Sequence, residues 1–201
     1  MIGIINYGCG NLGSIENMLQ YLDIKAMIIS EPKDIKKTDK LILPGVGSYH
    51  FGINRLRSSG FIEMLNYSVL IEKIPILGIC LGMQLMTNRS EEGDVDGLGW
   101  IDASTVKFEN RPNFNVPHMG WNYVHDYEES PLFKGISSKP KFYFVHSYFV
   151  KCNNKENILC TTHYYEDFVS GIHSDNIFGI QFHPEKSHKY GMKLFENFNK
   201  L

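Results

Sequence analysis

The stretch Ile76-Leu77-Gly78-Ile79-Cys80-Leu81-Gly82-Met83-Gln84 constrains the fold more than any other segment. An apolar, strand-like run passes without a loop into a helix-like run, through Gly78-x-Cys80-x-Gly82. So sharp a bend leaves no room for Cβ atoms on either side of the central residue, which explains the flanking glycines. This is the cysteine form of the nucleophile elbow. It aims sulfur above the C-terminal end of a strand, where open α/β sheets bind their ligands. The N–H groups that open the helix then face a thiolate or a developing oxyanion. An isolated cysteine is more often a buried structural residue, but the elbow setting favours the nucleophile.

The rest of the first half supplies a sheet to carry such an elbow. Ile2–Asn6, Ala26–Ile29, Lys40–Leu43 and Pro75–Ile79 read as strands. Helices are expected over Asn11–Leu22, in a short piece opened by Glu31-Pro32, over about 50–72 and over about 81–88. Strand–helix alternation argues for a parallel sheet covered on both faces. The second half changes character, with strand-like runs at Thr105–Phe108, Asn122–His125, Phe142–Lys151, Asn157–Thr162, Val169–His173 and Ile177–Phe182. Turn signals between them suggest antiparallel strands added to the sheet. An amphipathic helix is expected at about 187–200. With no repeats, low-complexity tracts or linkers, residues 1–201 read as one α/β domain with a mixed, mostly parallel sheet flanked by helices.

Composition excludes several classes of function. A formal net charge of −2 gives no sign of a nucleic-acid or anionic-membrane partner. Cys9, Cys80, Cys152 and Cys160 form no CxxC pair and no dense framework, so reduced thiols and a cytoplasmic location are expected. The apolar start, Met1 to Asn6, is too short for a secretory leader and reads as a first strand. No apolar run approaches the length of a membrane helix.

An ordinary thiol needs a base or a lowered pKa to act at neutral pH. Gly179-Ile180-Gln181-Phe182-His183-Pro184-Glu185 offers both a base and its orienter. In an extended segment, stiffened by Pro184, His183 and Glu185 project to the same side, so the carboxylate can hold the imidazole tautomer. Alone, His-Pro-Glu is equally well a surface turn; with the elbow it completes a nucleophile–base–orienter set. His50, His125, His163, His173 and His188 lack metal-ligand spacing, and no metal or cofactor is expected. Periodicity places His118 and His146 simply in strand core and a turn. The turn Pro44-Gly45-Val46-Gly47 can cradle a phosphate or donate to an oxyanion; it lacks the end of a P-loop, and the oxyanion role fits the nearby thiol better.

These segments give the chain its resemblance. Asn6 to Leu12, Pro44 to Gly47, Gly78 to Gln84, Pro117 to Asn122, Phe142 to Tyr148 and Gln181 to Ser187 match the class I (triad) glutamine amidotransferases in order and spacing, across nearly the whole chain. Pro117-His118-Met119-Gly120-Trp121-Asn122, Val145-His146-Ser147-Tyr148 and His183-Pro184-Glu185-Lys186-Ser187 resemble in particular the glutaminase subunits of imidazole glycerol phosphate synthase. The resemblance implies a flavodoxin-like sheet and a triad of Cys80, His183 and Glu185. It implies an oxyanion hole from Gly45, Val46, Gly47 and Leu81, with a peptide flip near Val46, and glutamine contacts from Gln84 and Glu92. Asn11, Trp121, Tyr143 and Lys186 match positions that meet a HisF-like cyclase subunit, a (β/α)8 barrel that receives the ammonia. Paralogues that feed a sugar-amidating synthase share the pattern. Cys9 stands where a small or varied residue is usual, and no role follows for it.

Overall fold

The computed structural model describes residues 1–109, 115–127, 130–137 and 139–201. In the first half β1 (Ile2–Ile5), α1 (Leu12–Tyr21), β2 (Ala26–Ile29) and β3 (Lys40–Leu43) are followed by α2 (Tyr49–Ser58), α3 (Phe61–Asn66), β4 (Ile76–Ile79) and α4 (Leu81–Gln84). The second half contains β5 (Arg89–Ser90), β6 (Val95–Asp96), β7 (Ala103–Lys107), β8 (His118–Tyr123), β9 (Lys141–His146) and β10 (Tyr148–Cys152). The chain closes with β11 (Ile158–Tyr164), β12 (Glu166–Ser174), β13 (Ile177–Ile180) and α5 (His188–Lys200).

The main sheet runs β2-β1-β3-β4-β13-β12-β10-β7-β5-β6, with β11 paired to β12. Its first five strands are mutually parallel, and β12, β10 and β7 extend them antiparallel. Alternation along each central strand divides the core between the two faces. Ile4, Ile42, Leu77 and Ile79 pack with α1 and α5, whereas Ile5, Leu41, Leu43 and Ile76 pack with α2 and α3. Layers of this kind let five short strands carry a buried, water-excluding centre.

Four local expectations are corrected. The helix after the elbow ends at Gln84, whose carbonyl accepts from the Thr87 N–H and hydroxyl, while the Leu85 and Met86 carbonyls accept from the N–H groups of Leu98 and Trp100. Helix 50–72 is broken at Gly60, whose φ of +73° ends α2 and starts α3, and finishes as a π-turn over Tyr67–Ile71. The run Phe142–Lys151 is two strands in different sheets: β9 pairs with β8, and β10 joins β7 and β12. The strand expected at Asn122–His125 lies earlier, at His118–Tyr123, in register opposite β9. Among the described residues, no helix is long and apolar enough to cross a membrane.

Candidate active site

Strands β4 and β13 are parallel neighbours, with Ile79 opposite Ile180. Their ends therefore emerge side by side, and the Cys80 N–H donates to the Ile180 carbonyl at 2.8 Å. That pairing brings the elbow beside the segment Gln181-Phe182-His183, about half the chain away.

The elbow has the backbone its sequence demands. Cys80 sits at φ 54°, ψ −111°, a conformation that L side chains rarely adopt. Both flanking glycines are sterically required. A Cβ on Gly82 would lie 1.8 Å from the Leu43 carbonyl oxygen, and one on Gly78 2.8 Å from the Met83 nitrogen. Gly45 is equally confined, since its Cβ would meet the Gly82 nitrogen at 2.7 Å. The turn after β3 thus rests directly on the start of α4. Tyr7, buried beneath, donates its hydroxyl to the Pro44 carbonyl at 2.7 Å and anchors the root of that turn. Beyond the anchor, Val46 is exposed and Gly47 takes φ +102°.

His183 lies just past β13, its N–H bonded to the Tyr143 carbonyl at 2.9 Å. Nδ1 faces Glu185 Oε1 at 2.7 Å, with both side chains only 2% exposed. A carboxylate can only accept, so the proton sits on Nδ1 and Nε2 is turned to the other side. Nε2 and Glu185 Oε2 are buried and make no hydrogen bond among the described residues. Burial disfavours the charged ring, yet interaction with the Cys80 sulfur and the Glu185 carboxylate more than reverses this, and His183 holds its proton well above the usual histidine range. The local backbone differs from the extended segment expected. His183 is extended at φ −101°, ψ 98°, but Pro184 opens a 3-10 turn over Pro184–Lys186. Proline fits that first position because its missing N–H is not needed there.

A cleft of about 320 Å³ opens over the thiol, lined by Val46, Gly47, Cys80, Leu81, Gln84, Glu92 and His183. Gly45 packs beneath it. From the other side come Pro117, Val145, His146, Ser147 and Tyr148, residues the sequence reading gave no site role. Their signal was the aromatic-rich Phe142–Tyr148 motif, hidden by an alternation that reads as one continuous strand. Gln84 donates Nε2 to the Tyr148 carbonyl at 3.1 Å and to Gln181 Oε1 at 2.9 Å. Gln181 in turn directs Nε2 at the Cys80 sulfur, at 3.6 Å. Glu92 accepts from the Tyr49 N–H at 2.7 Å, so the carboxylate caps the start of α2 while reaching the cleft.

The other thiols are poor nucleophiles. Burial pushes Cys152 up to about 11 and Cys160 up to about 12, and Cys9 is raised by burial despite the nearby Arg55. All four cysteines are free. No group of three or more His, Cys, Asp or Glu side chains suited to a metal occurs among the described residues.

Three of the expected interface residues, Trp121, Tyr143 and Lys186, gather beside His183. Lys186 Nζ lies 5.5 Å from the centre of the Tyr143 ring, and that ring meets Trp121 edge-on at 6.1 Å. Trp121 is 42% exposed and stacks on His188 at 5.4 Å. Asn11 is exposed at the start of α1, where its side chain accepts from the Ser14 N–H at 3.4 Å.

The model of the family "Glutamine amidotransferase class-I" matches residues 4–201. Over 200 residues the chain is 54% identical to the imidazole glycerol phosphate synthase subunit HisH 2 of Methanococcus maripaludis, covering 100% of this chain and 99% of the relative. It is 47% identical over 201 residues to the subunit of the same name from Pseudomonas aeruginosa, both chains covered completely. Among solved structures, PurLQS from Thermotoga maritima is similar with a TM-score of 0.75 at 16% identity, over 98% of this chain and 96% of that one, a likeness of fold alone.

Proposed function

The chain belongs to the class I glutamine amidotransferase family, and from that premise we propose that it is the glutaminase subunit of an imidazole glycerol phosphate synthase, releasing ammonia from glutamine at Cys80. The observation that carries the reading is the meeting of a strained elbow thiol with a buried His183–Glu185 pair in one cleft. Residues 1–201 act as one catalytic domain.

The chemistry follows from the geometry. His183, its proton affinity raised, takes the thiol proton, and the sulfur attacks the glutamine carboxamide carbon. Negative charge moves to the amide oxygen, where N–H groups of the Val46–Gly47 turn and of Leu81 stabilise it. Gly45 supports that turn from below. His183 then gives its proton to the leaving nitrogen, ammonia departs, and water hydrolyses the thioester to glutamate. Glu185 keeps Nδ1 protonated throughout, so that Nε2 does the proton transfers. Because both Nε2 protons of Gln84 are already committed, it presents only its Oε1 acceptor to a ligand. With the Glu92 carboxylate this makes an acceptor-rich wall suited to the α-ammonium group of an amino acid.

A synthase subunit implies a partner subunit. We read that partner as a HisF-like cyclase on a (β/α)8 barrel, docked over Asn11, Trp121, Tyr143 and Lys186. Ammonia stays neutral only while it is kept from water, so the seal must lie beside the thioester, and exposed aromatic rings make such a seal. A second reading is ammonia supply to a different synthase, such as a sugar-amidating one, because the same glutaminase site serves any acceptor that the partner subunit binds.

Cys80→Ala in the complex tests the function. Glutamine-dependent synthesis should be lost, while synthesis from ammonium salts persists. Glutamine turnover near the wild-type rate would end the assignment of the nucleophile. Assay of the wild-type complex with the ribulosyl-imine nucleotide decides between the two acceptors.

A further inference from the structure

Beside the triad lies a second buried histidine constellation. His118 on β8 stands opposite His146 on β9, with its Nδ1 3.0 Å from Nε2 of His146. Both rings are enclosed, 3% and 6% exposed. His118 is stacked between Phe144 and Tyr164, with ring centres 4.8 and 3.9 Å away, and His146 lies 5.2 Å from the Phe168 ring. An aromatic box solvates an imidazolium poorly. Burial lowers His118 to about 4 and His146 to about 3, so each ring is neutral and carries a single N–H.

The neighbours fix where those protons sit. Nδ1 of His146 is 2.8 Å from the Tyr148 carbonyl, which can only accept, so His146 is protonated there and its Nε2 is an acceptor. His118 must therefore donate from Nδ1, and its Nε2 accepts from Asn122 Nδ2 at 3.3 Å. Every bond points the same way, from β8 to the Tyr148 carbonyl. The same carbonyl receives Gln84, which continues to Gln181 and to the Cys80 sulfur. A polar path thus joins the strand bearing exposed Trp121 to the wall of the cleft. Two apolar residues would hold β8 against β9 equally well, but they would leave the Tyr148 carbonyl with one of its two donors missing.

We propose that His118 and His146 are positioning residues for glutamine: the ordered pair fixes the Tyr148 carbonyl and, through it, the Gln84 side chain in the substrate wall. The proposal rests on the glutaminase reading. Its test is glutamine affinity, by calorimetry on the full chain, with Cys80 alkylation by iodoacetamide followed on the same samples. His118→Leu removes the donor to His146 and should weaken glutamine binding about tenfold, a typical effect of a lost buried hydrogen bond, with alkylation within about threefold of wild type. His118→Gln keeps a donor and an acceptor and should recover most of the affinity. Unchanged affinity in His118→Leu, or a Gln variant no better than the Leu variant, overturns the proposal. Should His118→Leu fail to fold, Asn122→Leu removes the first donor of the path, and unchanged affinity there overturns it equally. A wild-type chain that binds no glutamine sinks the glutaminase reading itself, an outcome distinct from wild type and variant binding alike.

Discussion

Glu185 Oε1 lies 2.7 Å from Nδ1 of His183 at a site where each side chain is 2% exposed. The carboxylate orients the ring and also opposes the effect of burial on its charge. Glu185→Gln keeps the shape and removes that charge, so the His183 proton affinity should fall, which a ¹⁵N titration of the ring reads directly. The folded-state pKa of His183 is raised above the unfolded value of about 6.5. Its stabilising contribution is therefore complete below about pH 6.5 and fades as pH climbs through the folded value. In Glu185→Gln the contribution should be smaller and its loss complete at lower pH, as seen in melting temperature against pH. For activity, His183→Ala should cost on the order of 10⁴-fold or more and Glu185→Ala clearly less, because an orienter usually costs least. An unchanged ring titration in Glu185→Gln would remove the carboxylate from the account.

Two glycine substitutions should act in opposite directions on stability. The Cβ of Gly82→Ala would fall 1.8 Å from the Leu43 carbonyl oxygen, a backbone atom that cannot step aside. A loss of about 1–3 kcal/mol or more is expected, the usual cost of overpacking. Gly13, inside α1, has nothing within 4 Å of its Cβ position. Gly13→Ala should stabilise by about 0.4–1 kcal/mol through reduced freedom of the unfolded chain. Urea unfolding of both variants checks the pair. A neutral Gly82→Ala would mean that the turn after β3 is not wedged against the elbow.

Trp121→Ala should separate binding from stability. The ring is 42% exposed and touches Tyr143 and His188, not the core. The monomer should melt within a few degrees of wild type, well short of the roughly 3–5 kcal/mol lost with a core tryptophan. Affinity for the synthase partner, or the coupling of glutamine hydrolysis to synthesis, should fall about tenfold or more if the ring is an interface anchor. A destabilised monomer that assembles and couples normally would contradict this surface.

Sequence alone determined the elements whose signals are local. Gly78-x-Cys80-x-Gly82 specified a strand, a strained turn and a helix start, because only one backbone path accommodates those residues. The short, nearly continuous apolar runs Ile2–Ile5, Lys40–Leu43 and Ile76–Ile79 likewise determined strands buried on both faces, since length and apolarity are properties of a single segment. Tertiary structure decided which segments meet. Nothing within Ile177–Ile180 says that it pairs with β4, yet that pairing carries Gln181 to Cys80 across 101 positions of sequence. The Phe142–Lys151 run looks continuous, but its halves belong to different sheets because Phe142 stacks on Phe182 at 4.0 Å while Val150 joins the core of the main sheet. His118 and His146 are indistinguishable from ordinary strand residues until β8 and β9 pair in register. A residue's period tells which way it faces; what it faces depends on the packing energy of the whole chain.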